Sequence, residues 1–227
     1  MASRLEAMGQ EKYKGLTKKT KHGIDWTGKI NFNLAALEKE VKRKKPTMFF
    51  VPSMSDLFHK DVPSKFIDKV FTIMGRHPQH IFQVLTKRDK RLFEYCDNYY
   101  PKKISSNIWL GVSIENQKAT ERISAFDAVP DINIKWLSIE PLLEAVTIDY
   151  YYLYRINWVV VGCESGIRKR ECKIGWIESI VEQCKYANVP VFVKQINVNG
   201  KVIKDIEQFP KHLQIREYPD RRQSGRD

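Results

Sequence analysis

Apolar residues along this chain gather in two kinds of run. Short, nearly continuous runs occupy Met48–Pro52, Ile81–Leu85, Ile108–Ser113, Ile134–Ile139, Asn157–Gly162 and Val191–Val193. They are rich in β-branched or aromatic residues and do not alternate with polar ones, as expected of strands covered on both faces of a parallel sheet. Lys29–Phe32, after Asp25-Trp26-Thr27-Gly28, is a weaker seventh strand candidate. Between these runs the spacing turns helical. Trp176, Ile177, Ile180, Val181 and Cys184 form one stripe, ended by Asn188 and Pro190. Phe66, Ile67, Val70, Phe71 and Met74 form another behind Pro63. Asn116 is placed to cap a helix carrying Ala119, Ile123 and Phe126, and Asn33 one carrying Leu34, Leu37 and Val41.

Strand-then-helix units thus follow one another, which implies right-handed βαβ crossovers. The fold class read from this is α/β: a parallel (β/α) barrel of the TIM type, missing its first strand. Met1, Leu5 and Met8 mark one face of a helix that Gly9 can end, so the chain starts inside a βα unit whose strand is absent. A doubly wound sheet would not need that strand, whereas a barrel would. A single barrel domain is expected over residues 1–215, followed by a flexible basic tail at 216–227.

Composition narrows the class. With 42% hydrophobic and 29% charged residues, the 227-residue chain is globular and long enough to fold without disulfides or metal. No apolar run approaches the roughly 20 residues of a membrane helix. The N-terminus has no apolar signal core, so a reducing cytoplasm is the expected location. The four cysteines, Cys96, Cys163, Cys172 and Cys184, include no Cys-x-x-Cys pair. The net charge of +12 is spread over clusters such as Lys18-Lys19-Thr20-Lys21, Lys42-Arg43-Lys44-Lys45 and Arg168-Lys169-Arg170. Such a surface suits a polyanion and makes nucleic acid a possible partner, although no known nucleic-acid module accompanies it. The sequence fixes no oligomeric state.

In parallel α/β folds the chemistry sits beyond the carboxyl ends of the strands. Here those ends read Ser53-Met54-Ser55-Asp56, Thr86-Lys87-Arg88, Ser113-Ile114-Glu115-Asn116, Ser138-Ile139-Glu140-Pro141, Gly162-Cys163-Glu164-Ser165-Gly166 and Lys194-Gln195. Topology places all six on one rim, which favours a polar ligand site. Asp56, Glu115, Glu140 and Glu164 can hold a divalent metal or bind a cationic or hydroxylated ligand, or they can simply pair with Lys87, Arg88 and Lys194. Lys87 or Lys194 could instead form a Schiff base. His59 and His80 read as structural, and Trp109, Trp136 and Trp158 as core or barrel-end plugs.

These strand-end strings, together with Leu57-Phe58-His59, Gln83-Val84-Leu85, Trp109-Leu110-Gly111-Val112 and Trp158-Val159-Val160-Val161, resemble a family of uncharacterised phage and prophage proteins distantly related to radical S-adenosylmethionine (SAM) enzymes. The likeness runs in order along the chain to about Gln195. It implies a barrel whose rim residues Ser53, Ser55, Asp56, Lys87, Arg88, Ser113, Glu115, Asn116, Glu140, Glu164, Ser165 and Lys194 line a cavity for SAM and substrate. It also implies a [4Fe–4S] cluster held by Cys-x-x-x-Cys-x-x-Cys-Tyr-Ala near the N-terminus. This chain departs from the pattern, because no cysteine precedes Cys96 and Cys163 stands where the family usually has glycine. Either the motif lies upstream of Met1, or the polypeptide lacks the cluster and its radical chemistry. The competing readings are a nucleic-acid-binding or nucleic-acid-modifying protein and a non-catalytic barrel scaffold.

Overall fold

The computed structural model describes residues 2–21, 23–51, 55–98, 104–130, 132–166 and 169–219. Helix α1 spans Ala2–Ala7, and Gly9 follows it at φ +75°. A hairpin of β1 (Thr17–Thr20) and β2 (Gly23–Trp26) precedes helix α2 (Leu34–Glu40), whose cap is the Asn33 side chain accepting from the Ala36 amide. From there strands and helices alternate: β3 (Met48–Val51), α3 (Ser64–Gly75), β4 (Ile81–Thr86), α4 (Asp89–Asn98), β5 (Ile108–Ser113), α5 (Arg122–Asp127), β6 (Ile134–Ile139), α6 (Tyr150–Leu153), β7 (Trp158–Gly162), α7 (Ile174–Tyr186) and β8 (Val191–Val198). Strand β9 (Lys201–Ile203) turns back on β8. Asn116 caps a short 3₁₀ segment leading into α5 and accepts from the Ala119 amide.

The main sheet has the order β3-β4-β5-β6-β7-β8-β9, parallel throughout except for antiparallel β9. Its convex face carries the large core. Val84, Leu110, Val112, Leu137, Ile139, Val159 and Val161 point there and meet Ile67 and Phe71 of α3 and Ile177 and Ile180 of α7. Full burial of such aliphatic side chains is worth about 1.5–3 kcal/mol each.

The expected TIM-like barrel is not formed. The sheet curls into an open half-barrel, and its two ends do not pair with each other. The reason lies at β8. Its outer edge is occupied by β9, where Ile196 opposes Ile203, and by the chain that follows: the Val193 amide donates to the Ile215 carbonyl and the Glu217 amide to the Val191 carbonyl. That edge has no room for β3, which keeps a partner on one side only among the described residues, with Met48 and Phe50 exposed. Arg216 and Glu217, at the start of the segment expected to be a tail, therefore lie against the sheet, and Tyr218 stacks on Trp158. Residues 220–227 lie outside the described residues. Lys29–Phe32 forms no strand.

The concave face follows the strict period of two. Trp109, Gly111 and Ser113 line it on β5, Trp136 and Ser138 on β6, Trp158, Val160 and Gly162 on β7, and Phe192 on β8. Aromatics thus floor the half-barrel near the strand starts and give way to small and polar residues at the strand ends. Trp136 lies so close over β5 that a Cβ on Gly111 would sit 2.4 Å from its ring. The residue beneath that indole must be glycine.

Candidate functional site

The rim begins at Asp56, just beyond β3. Its carboxylate gathers the neighbouring strand end: it accepts from Thr86 Oγ1 at 2.8 Å, the Lys87 amide at 3.1 Å and Arg88 Nη1 at 2.6 Å, and also from the Phe58 amide at 2.9 Å. Next along the rim, Glu115 sits beyond β5 between two cations. Lys87 Nζ lies 2.9 Å from its Oε1, and Arg122 Nη1 lies 2.7 Å from its Oε2. Burial works to raise the Glu115 carboxyl, but the hydrogen bonds from Arg122 and Lys87 outweigh it and hold the group below the ordinary carboxylate range.

Glu140 occupies the centre. It follows β6, its side chain is only 15% exposed, and its Oε2 accepts from Lys194 Nζ at 3.2 Å. Ser138 hydrogen-bonds the same carboxyl, and Ser113 Oγ donates to the Glu140 carbonyl at 3.3 Å. Burial pushes this carboxyl up, against the pull of Lys194 and Ser138. The Glu140–Pro141 peptide is cis. Lys194 reaches Glu140 because β8 bulges there: Val161 opposes Val193 but Gly162 opposes Gln195, leaving Lys194 as the extra residue. Bulges re-aim side chains in this way.

Glu164 lies beyond β7 and is held by Arg170, with Nη2 2.7 Å from Oε1 and the Arg170 amide 2.8 Å from Oε2. Those bonds lower its carboxyl to about 2. A cavity of about 670 Å³ opens on the far side of Arg170, between the start of α7 and the β8–β9 turn, lined by Lys169, Lys173, Asn197 and Val198 among others. It borders the rim but does not contain Glu140.

The structure thus brings Asp56, Lys87, Arg88, Ser113, Glu115, Glu140 and Lys194 into one connected arc. Glu164 stands further along it with its own arginine. Asn116 is occupied as a helix cap. Ser55 and Ser165 are exposed, and Ser53 lies outside the described residues. Sequence reading missed Arg122 and Arg170 as parts of this arrangement, and placed Ser138 and Gln195 on the rim without giving either a role. Arg122 and Arg170 carry no motif; Arg122 arrives from the start of α5 and Arg170 from the loop after β7. Ser138 was legible, since it sits at the same depth as Ser113 on the neighbouring strand. His80 is fully buried: its Nδ1 accepts from the Thr47 amide and its Nε2 therefore donates to the Val41 carbonyl, a structural role.

Each carboxylate of the arc is sequestered, whereas the lysine heads are about half exposed: Lys87 at 50% and Lys194 at 55%. Such a pair can open around a ligand bearing both charges, its ammonium on the carboxylate and its carboxylate on the lysine. The amino-acid end of SAM matches that donor set. An iron–sulfur cluster does not. All four cysteines are buried and unpaired, and burial raises the Cys96, Cys172 and Cys184 thiols to about 12. No three His, Cys, Asp or Glu side chains converge on a metal position among the described residues. No helix is long and apolar enough to cross a membrane among the described residues.

Comparison with curated proteins and with solved structures gives no significant match. A family model described as "Protein of unknown function (DUF5131)" covers residues 1–222, and the chain belongs to that family.

Proposed function

We propose that this chain is the ligand-binding body of a radical-SAM-like enzyme of phage or prophage origin, working in the cytoplasm, and that its rim holds SAM. The observation that supports the reading is the Glu140–Lys194 pair at the mouth of the half-barrel above Gly162, its carboxylate sequestered and its lysine half exposed. In this reading Glu140 takes the ligand's ammonium and Lys194 its carboxylate, while Ser113 and Ser138 offer hydroxyls to the ribose. SAM would supply the transferable or cleavable carbon–sulfur bonds. No electron-transfer step is assigned, because the described residues do not offer the three thiolates of a cluster. The absence of disulfides among the four buried cysteines suits a reducing compartment.

Calorimetric titration with SAM tests the proposal. Saturable binding is expected for the native sequence, weakened roughly 10- to 100-fold in Glu140→Gln and in Lys194→Met, the loss of a charged hydrogen bond. Equal affinity in all three proteins would move the site elsewhere. A folded native protein that binds no SAM would leave the rim as the ion-paired mouth of a non-catalytic scaffold.

A further inference from the structure

A second feature lies outside the rim. The β1–β2 hairpin is exposed on both faces, with only Thr17 partly covered. Register fixes which side chains share a face: Thr17 opposes Trp26, and Lys19 opposes Ile24. Residues two apart on a strand point the same way, so Trp26, Ile24 and Lys19 form one continuous surface. Trp26 is 52% and Ile24 60% exposed. Two large apolar side chains held open side by side make a patch on an otherwise polar hairpin.

The surroundings are cationic. Lys18, Lys19 and Lys21 lie on or beside the hairpin, and none is in an ion pair among the described residues. Asp25 is the lone acid of the two strands, and it accepts from the Trp26 amide. The mount is firm. Glu6 Oε1 accepts from the Gly15 amide at 2.7 Å, Thr27 Oγ1 donates to the Gly15 carbonyl at 2.7 Å, and the Thr27 amide donates to the Leu16 carbonyl at 2.9 Å. Lys29 lies against Gly15 at the hairpin base.

We propose that this hairpin is a docking surface for single-stranded nucleic acid, with Trp26 stacking on an unpaired base and Lys19, on the same face, and Lys21, at the turn, meeting the flanking phosphates. Charge complementarity selects a polyanion, in keeping with the +12 net charge. The exposed indole selects unpaired bases, whose faces are free to stack, over a duplex, whose faces are already stacked. A membrane surface fits less well, because such binding scales with inserted apolar area and two side chains offer little. The inference is independent of SAM binding at the rim.

Fluorescence anisotropy with labelled oligothymidylate, oligouridylate and a duplex tests it, read between about 50 and about 200 mM salt. Tighter binding of a single strand than of the duplex is expected, and the two single strands tell whether the 2′-hydroxyl matters. Trp26→Ala should weaken single-strand binding roughly 5- to 100-fold, and Trp26→Phe should recover part of it. Changing Lys19 and Lys21 together to alanine should flatten the log–log salt slope by about 1.4. Because the hairpin face is exposed, the thermal midpoint of Trp26→Ala should match that of the native sequence. Unchanged affinity in Trp26→Ala overturns the proposal. So does preference for the duplex, or binding to anionic phosphatidylserine vesicles with none to either single strand.

Discussion

The carboxylate of Glu140 lies against the bare Cα of Gly162: a Cβ built there would sit 2.9 Å from Glu140 Oε1 and 3.3 Å from the Gln195 carbonyl. The central acid of the rim keeps its position because the residue opposite has no side chain. Gly162→Ala should therefore push Glu140 out of its seat. Any SAM affinity should fall as in Glu140→Gln, while the stability loss stays at the overpacking level of about 1–3 kcal/mol. Calorimetry and urea unfolding on the same variant check both halves, and unimpaired binding would mean that the seat does not matter.

Gly111 faces a harder neighbour. Its missing Cβ would meet the Trp136 ring at 2.4 Å, and that ring is buried beside Trp158, centroids 5.5 Å apart. An indole so confined cannot give way as a carboxylate can. Gly111→Ala should cost about 3 kcal/mol or more, which lowers the thermal midpoint by at least about 6 °C in a chain of this size. A midpoint within about 2 °C of the native one would show that the floor of the half-barrel is loosely packed.

Glu140 and Glu115 should respond to pH in opposite senses. Burial holds the folded Glu140 carboxyl above its ordinary value of 4.5. The stability tied to it is therefore full below that value and declines as pH rises through the folded one. Glu115 is held below 4.5, so its contribution is present above that value and declines as pH falls through the folded one. Urea unfolding from pH 3 to pH 8 should show Glu140→Gln gaining on the native protein as pH rises and Glu115→Gln losing ground over the lower part of the range. Parallel curves for both variants would contradict the assignment.

Asp56 organises rather than exposes. It satisfies two backbone amides, a buried threonine hydroxyl and a guanidinium. Asp56→Ala strands those donors and should cost about 2–4 kcal/mol. Asp56→Asn keeps acceptor geometry for part of the set and should cost less. Denaturant midpoints at constant slope are the check, and equal costs for the two variants would argue against the hydrogen-bond account.

The cysteines should be silent. With all four buried and three of them held at about 12, a disulfide reagent should label the native protein slowly and react fully only after unfolding. One fast-reacting thiol would identify a reactive cysteine outside this description.

How much of this was legible before the structure depends on where the controlling contacts lie in the chain. The buried strands were visible because runs such as Trp158–Val161 carry their own β-branched character, and the α7 stripe because its spacing is local. Closure was not visible. Whether β8 pairs with β3 or with its own continuation depends on what Lys201–Ile203 and Arg216–Glu217 do: the Asn199-Gly200 turn before Val202 and Ile203 was a hairpin signal that sequence reading overlooked, whereas Arg216–Glu217 carries no strand signal. The β1–β2 hairpin was missed for a similar reason: Thr17–Thr20 is polar and Gly23–Trp26 begins with glycine. At the rim, acids and lysines at strand ends could be placed by topology. That they could pair was legible too; which acid takes which base was not, because the bulge at Lys194 is a register event between two strands.

The strap at β8 also sets an order of events during synthesis. The floor tryptophan Trp158 donates its indole N–H to the Glu217 carbonyl and takes Tyr218 on its ring. A nascent chain that has emerged only as far as β8 has every parallel strand in hand, yet it still bares that indole and an unpaired strand edge. Vectorial folding from the N-terminus therefore cannot complete the sheet. The step that seals it waits for residues 215–218 to leave the ribosome, after the last parallel strand has already emerged.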